Sequence, residues 1–115
     1  MPRAKGGFKT RQRRKKVLKA ASGFRGGRSR LIRSAIETVK RAQRFAYKHR
    51  KVRKREFRNL WVTRIGAAAK DLGVSYSQLM GRLSKANIQI NRKMLSELAI
   101  HDPQAFRKIV EVASH

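Results

Sequence analysis

The sequence contains no cysteine, which removes disulfides and thiolate-ligated metals and fits a reducing compartment. Acidic residues are nearly as scarce, six Asp and Glu against 31 Lys and Arg. Scattered as they are, they offer no pair for general acid–base work. The three histidines, His49, His101 and His115, have no ligand-spaced partners, so no metal site is read. No apolar run approaches the ~18 residues needed to span a bilayer. The basic N-terminus lacks the apolar stretch of a secretory leader, and its basic character continues far past the cleavage point of an organellar transit peptide. These absences argue against an enzyme, a cofactor, a membrane protein or a small-molecule site.

What is present is positive charge, a formal net +25 in 115 residues. Such a charge opposes compaction by self-repulsion, and a polyanion is the simplest remedy. The charge is uneven. Residues 1–58 hold 23 basic residues against Glu37 and Glu56, a net of +21, whereas residues 59–115 hold eight basic and four acidic residues, a net of +4. The division predicts a basic arm, 1–58, and a small globular domain, 59–115.

Along the arm, residues 1–9 read as irregular. Thr10 is expected to cap a short helix to Ala21, stopped by Ser22-Gly23. Residues 23–27, Gly-Phe-Arg-Gly-Gly, form a flexible joint. From Arg28 to Ile65 there is neither Gly nor Pro. Ile32, Ala35, Ile36, Val39, Ala42 and Ala46 recur at helical spacing, which predicts one long helix with a continuation toward Leu72. At ~1.5 Å per residue the segment 28–65 would reach roughly 57 Å, so a projecting helix is expected. Between Lys48 and Arg58 the apolar stripe nearly vanishes; Phe57, Trp61, Ile65, Ala68 and Leu72 restore it.

The remainder reads as short capped helices. Gly73 suits the position after a helix end. Ser75-Tyr-Ser-Gln78 is a capping box, with Val74 stapling onto Leu79 and with Leu79, Met80 and Leu83 buried. Asn91 caps a second helix, stapled from Ile90 and burying Leu95, Leu98 and Ala99. Asp102 precedes Pro103 at the start of a third, which buries Phe106, Ile109, Val110 and Ala113. The expected class is all-α: a long basic helical extension followed by a small helical bundle.

Arginine outnumbers lysine 14 to 9 in residues 1–58. Its planar fork holds phosphate with two hydrogen bonds, and lysine adds point charge. The residues expected to bind nucleic acid are Arg3, Lys5 and Lys9 at the N-terminus, and Arg11, Arg13, Arg14, Lys15, Lys16 and Lys19 on the first helix. Arg25, Arg28 and Arg30 lie at the joint. Arg33, Lys40, Arg41 and Arg44 open the long helix; Lys48, His49, Arg50, Lys51, Arg53, Lys54, Arg55 and Arg58 follow in the stretch without a stripe, and Arg64 lies beyond. The bland alternative, a solvated charged face, lacks the acids that would balance it. Phe24, set among glycines and arginines, is a candidate for stacking on an unpaired base; the alternative is local apolar cover, which is preferred for Phe57 beside Trp61. Arg92 and Lys93 sit just inside a helix N-terminus, where positive charge is unfavourable unless an anion is near; simple solvation is the alternative. The segment Gly23-Phe-Arg-Gly-Gly-Arg28 lacks the Gly-Lys-Ser/Thr ending of a P-loop and follows no strand. A basic helix can also lie on membranes or bind calmodulin, but residues 48–58 offer only Val52 and Phe57 as apolar contacts. An architectural DNA-binding protein is the rival reading.

The stretches Ala20-Ala-Ser-Gly-Phe-Arg-Gly-Gly-Arg-Ser-Arg30 and Ala46-Tyr-Lys-His-Arg-Lys-Val-Arg-Lys-Arg-Glu-Phe-Arg-Asn-Leu-Trp61, with Arg64-Ile65, resemble the family of the twentieth protein of the bacterial large ribosomal subunit. Ser75-Tyr-Ser-Gln-Leu-Met80, Asn91-Arg-Lys-Met-Leu-Ser-Glu-Leu-Ala99 and Met1-Pro-Arg3 fit as well, so the similarity covers essentially the whole chain. The resemblance implies a structural constituent of the large (50S) subunit. Its arm would thread into 23S ribosomal RNA, and its small domain would lie on the subunit surface. It implies a role in early subunit assembly rather than peptide-bond chemistry, with neighbouring ribosomal proteins as partners and no homo-oligomer. It carries a secondary role, repression of the protein's own messenger RNA, that varies between lineages. It places the protein in the ribosome of a bacterial cytoplasm or, with a plastid-encoded origin, of a plastid. No leader is expected before Met1.

Overall fold

The computed structural model describes residues 2–115, all of whose regular elements are helical. Met1 of the Met1-Pro-Arg3 motif lies outside the described residues. The chain forms two compact units, Met1–Lys51 and Val52–His115.

In the first unit, α1 spans Phe8–Ala20. It starts two residues before the expected Thr10 cap. Gly7, with extended backbone and no side-chain hydrogen bond, is the residue from which the helix begins, and Thr10 is already inside it. Ala21 closes the helix, its N–H donating to the Val17 carbonyl at 3.0 Å. Gly23 then turns the chain at φ +85°, a left-handed conformation that costs glycine nothing. A 3-10 turn follows at Gly26–Ser29, so the long helix starts later than Arg28. Helix α2 runs Ile32–Asp71, 40 residues. The turn is held to it by the Leu31 N–H, which donates to the Gly27 carbonyl at 2.7 Å.

A small cluster fastens this joint. Ala21, Ala35 and Val39 are buried, with Val17, Leu18 and Phe24 packed against them. The α2 stripe expected to continue to Ala42 and Ala46 stops at Val39: both alanines are exposed, with none of the described residues covering them. From residue 40 to residue 60 every side chain is exposed except the half-buried Val52.

The second unit has the larger core. The end of α2 contributes Ile65 and Ala69. Gly73 (φ +76°) terminates the helix: its N–H donates to the Lys70 carbonyl and that of Val74 to the Ala69 carbonyl, the Schellman pattern. Helix α3, Tyr76–Lys85, opens on the expected box, the Gln78 N–H donating to Ser75 Oγ and the Ser75 N–H to Gln78 Oε1. Helix α4, Arg92–His101, is capped by Asn91, whose Oδ1 accepts from the Met94 N–H at 2.8 Å. Helix α5, Pro103–Ser114, is capped by Asp102, which accepts from the Ala105 N–H at 3.0 Å. Helix α5 packs on both α3 and α4. Leu79, Leu83, Leu95, Phe106, Val110 and Ala113 are buried between them. Met80, Leu98, Ala99 and Ile109, expected inside, are half-buried, as residues on the flank of a three-helix face must be.

Candidate nucleic-acid interface

The bare stretch of α2, residues 40–60, carries ten Lys and Arg side chains against the single carboxylate of Glu56. Helical geometry distributes consecutive residues around the axis at about 3.6 per turn. Runs such as Lys48-His-Arg-Lys51 and Arg53-Lys-Arg55 therefore spread positive charge around most of the helix, leaving one face to Phe45, His49, Val52 and Glu56. Within the second unit the apolar stripe resumes only at Trp61, because Phe57 stays 44% exposed. The stripe was expected to begin one turn earlier.

Aromatic rings along this stretch are faced by cations of their own helix. The Arg41 guanidinium lies 5.7 Å from the Phe45 ring. Lys51 Nζ is 5.0 Å and the Arg50 guanidinium 5.8 Å from the Tyr47 ring, and Arg53 lies 5.6 Å from that of Phe57. These three- and four-residue spacings are the neighbours a helix surface allows. Each contact recovers part of the like-charge repulsion, through the negative face of the ring. Tyr47 remains 60% exposed, with open ring surface. His49 stands 5.7 Å from Phe45, ring centroid to centroid, inside the basic run.

The sequence-predicted cations fall into groups. Arg3 and Lys5 are exposed ahead of α1, and the six cations of α1 together with Lys9 are exposed on it. Lys9, Arg13 and Lys16 line one surface depression. At the joint, Arg25, Arg28 and Arg30 are exposed, and Arg28 shares a shallow pocket with Glu37 and Arg41. Arg33 is exposed on the first turn of α2. Phe24 is half-buried against Ala21, Ala35 and Val39, so the apolar-cover reading accounts for its packed face, and Arg25 beside it is the open group.

The second unit brings together residues far apart in sequence. A groove of about 660 Å³ is lined from α2 by Lys54, Arg55, Arg58 and Arg64, with Phe57, Leu60 and Trp61 as its apolar surface. Lys93 and Glu97 line it from α4. Of the pair Arg92 and Lys93, only Lys93 reaches it. Arg92 is half-buried, its Nε donating to the Tyr76 hydroxyl at 2.8 Å, a neutral partner within the fold. Leu60, Trp61 and Glu97 were not among the sequence-predicted contacts. The signals available were the one-turn spacings Phe57–Trp61 and Lys93–Glu97, but pairing α2 with α4 requires the fold. Among the described residues no cluster of His, Asp and Glu could hold a metal ion, and no helix is long and apolar enough to cross a membrane.

Known proteins resemble this chain along nearly all of its length. The family model for ribosomal protein L20 matches residues 3–109. The large ribosomal subunit protein bL20 of Crocosphaera subtropica is 61% identical, over 99% of this chain and 97% of its own. That of Gloeothece citriformis is 58% identical over the same shares. That of Trichlorobacter lovleyi is 57% identical over 98% of this chain and 97% of its own.

Proposed function

The chain belongs to the ribosomal protein L20 family, and from that premise we infer that its basic arm, residues 1–58, holds folded 23S ribosomal RNA by the phosphate backbone and promotes early assembly of the large subunit. Membership makes it a structural constituent of the large ribosomal subunit and not an enzyme. The observation that carries the finer reading is the stretch 40–60 of α2, ten cations on a helix with one half-buried side chain. A helix with a single half-buried side chain and one carboxylate against ten cations over this stretch is adapted to being enclosed by a polyanion.

A-form RNA has a major groove too deep and narrow for side chains to read. Contacts to phosphate and to shape therefore dominate, and arginine and lysine suffice for them. Each neutralised phosphate releases condensed counterions. A helix charged around most of its circumference lowers the repulsion between several RNA segments at once and sets their spacing, which is the physical task of an assembly protein. The contacts assigned are the exposed cations of residues 1–58 with Arg64 and Lys93. Arg92, held by Tyr76, drops to a supporting position, and Phe24 to packing at the joint.

The test is a salt titration of the full chain on a large-subunit RNA fragment. With roughly ten phosphates neutralised, affinity is expected to fall by about three to five orders of magnitude between ~50 and ~200 mM salt. A flat titration would overturn backbone binding. Duplex DNA competing as well as the RNA fragment would favour an architectural DNA-binding protein instead.

A further inference from the structure

We propose that the groove of the second unit seats one unpaired guanine of RNA, its ring against Trp61 and its Watson–Crick edge hydrogen-bonded to Glu97. The proposal rests on the RNA-binding reading and adds a base-specific contact to it.

The groove combines three features seldom placed together: an apolar surface, five surrounding cations and a single carboxylate. Leu60 is 41% exposed at its edge and Trp61 is half-buried. The Phe57 and Trp61 rings lie 6.4 Å apart at 37°, tilted rather than stacked, so neither covers the other's face. A flat apolar ligand carrying negative charge on both flanks matches such a surface, and an unpaired nucleotide within RNA has that form. A second copy of this chain, at +25, would be repelled. An acidic peptide would satisfy the cations but not Glu97.

Glu97 identifies the base. A carboxylate beside incoming phosphates is repulsive unless it accepts hydrogen bonds from the ligand. An ionised carboxylate only accepts, at two adjacent oxygens. Guanine alone among the four bases presents two adjacent donors on its Watson–Crick edge, N1–H and the N2 amino group. Adenine and cytosine place a ring-nitrogen acceptor beside their amino group, and uracil flanks its N–H with two carbonyls. One carboxylate oxygen, Oε2, lies 3.3 Å from His101 Nε2 one turn along α4. That contact steadies the side chain without using all its lone pairs.

The chain has one tryptophan, so Trp61 emission reports this groove separately from binding to the first unit. The experiment titrates the full chain with heptaribonucleotides, uridines flanking a central G, A, C or inosine. The central-G oligomer is expected to quench Trp61 and to bind roughly tenfold more tightly than the central-A one, the discrimination of one good bidentate contact. Inosine, lacking the N2 amino group, should fall between them. In Glu97→Gln the guanine preference is expected to disappear, since the amide replaces one acceptor with a donor. Equal quenching by all oligomers, or a guanine preference kept in E97Q, would overturn the proposal. So would Trp61 quenching by an aspartate-rich peptide and not by RNA. The steep salt dependence on large-subunit RNA is read on the same chain. If it holds while the guanine preference fails, the groove assignment falls and the arm stands; if it is lost as well, the RNA-binding reading falls.

Discussion

Ser96 is fully buried on α4, and its hydroxyl has no hydrogen-bond partner among the described residues. Burying a hydroxyl unsatisfied costs on the order of 1–3 kcal/mol, and removing it can be neutral or stabilising. Ser96→Ala is therefore expected to leave stability unchanged or raise it by about 1 kcal/mol, measured by urea unfolding. A loss above ~2 kcal/mol would contradict that account, since it would require a bond the hydroxyl is not making. At the same scale Asn87 carries φ +55°, the only positive value outside glycine among the described residues. It ends α3 as Gly73 ends α2, with the Ile88 N–H donating to the Leu83 carbonyl. Asparagine tolerates this conformation better than other side chains, which explains why a loop of this kind needs no glycine.

The helices divide into those secured by a core and one that for half its length is not. The starts of α3, α4 and α5 were legible in the sequence because a cap is local chemistry, a side-chain oxygen three residues from the N–H it accepts. Asn87 was not, because asparagine is common in many backbone states and only its φ marks it. Thr10 misled for the opposite reason: a good capping residue is no cap when Gly6-Gly7 lets the helix begin earlier. The lower half of the interface, Lys48 to Arg58, was legible from a missing stripe. Its full extent was not, since Ala42 and Ala46 keep helical spacing with nothing to cover them. The groove was illegible as a unit, because α2 and α4 are brought together by the fold, with Ile65 of one and Leu95 of the other in the same core. For α2 itself, like charges three and four residues apart destabilise an isolated helix by a few tenths of a kcal/mol per pair. Salt screens them. Helix content of the free chain is thus expected to rise with added sodium sulfate and further with RNA, as read by circular dichroism at 222 nm. A signal insensitive to both would show that residues 40–60 are held by something other than a bound polyanion.

For the molecule as a whole, charge and core are assigned to different parts of the chain. The larger core uses residues from Ile65 onward, and most of the net charge lies before residue 59. Stability and RNA affinity should accordingly be separable. Lys40→Ala and Arg44→Ala, both exposed, are expected to lower the slope of log affinity against log salt by about one each if each contacts a phosphate. The midpoint of the second unit's cooperative thermal unfolding should stay where it is. A drop in that midpoint with no change in slope would reverse the assignment.

That separation also has an order in time. A chain emerges from synthesis N-terminus first at roughly 5–20 residues per second, so the arm is complete several seconds before α5 can close the larger core. The joint is the exception. Its cluster draws only on residues 17–39 and can form while the rest is still being made. During that interval the nascent protein is a jointed polycation with no finished fold, and its earliest stable partner is whatever polyanion stands nearest the site of its own synthesis.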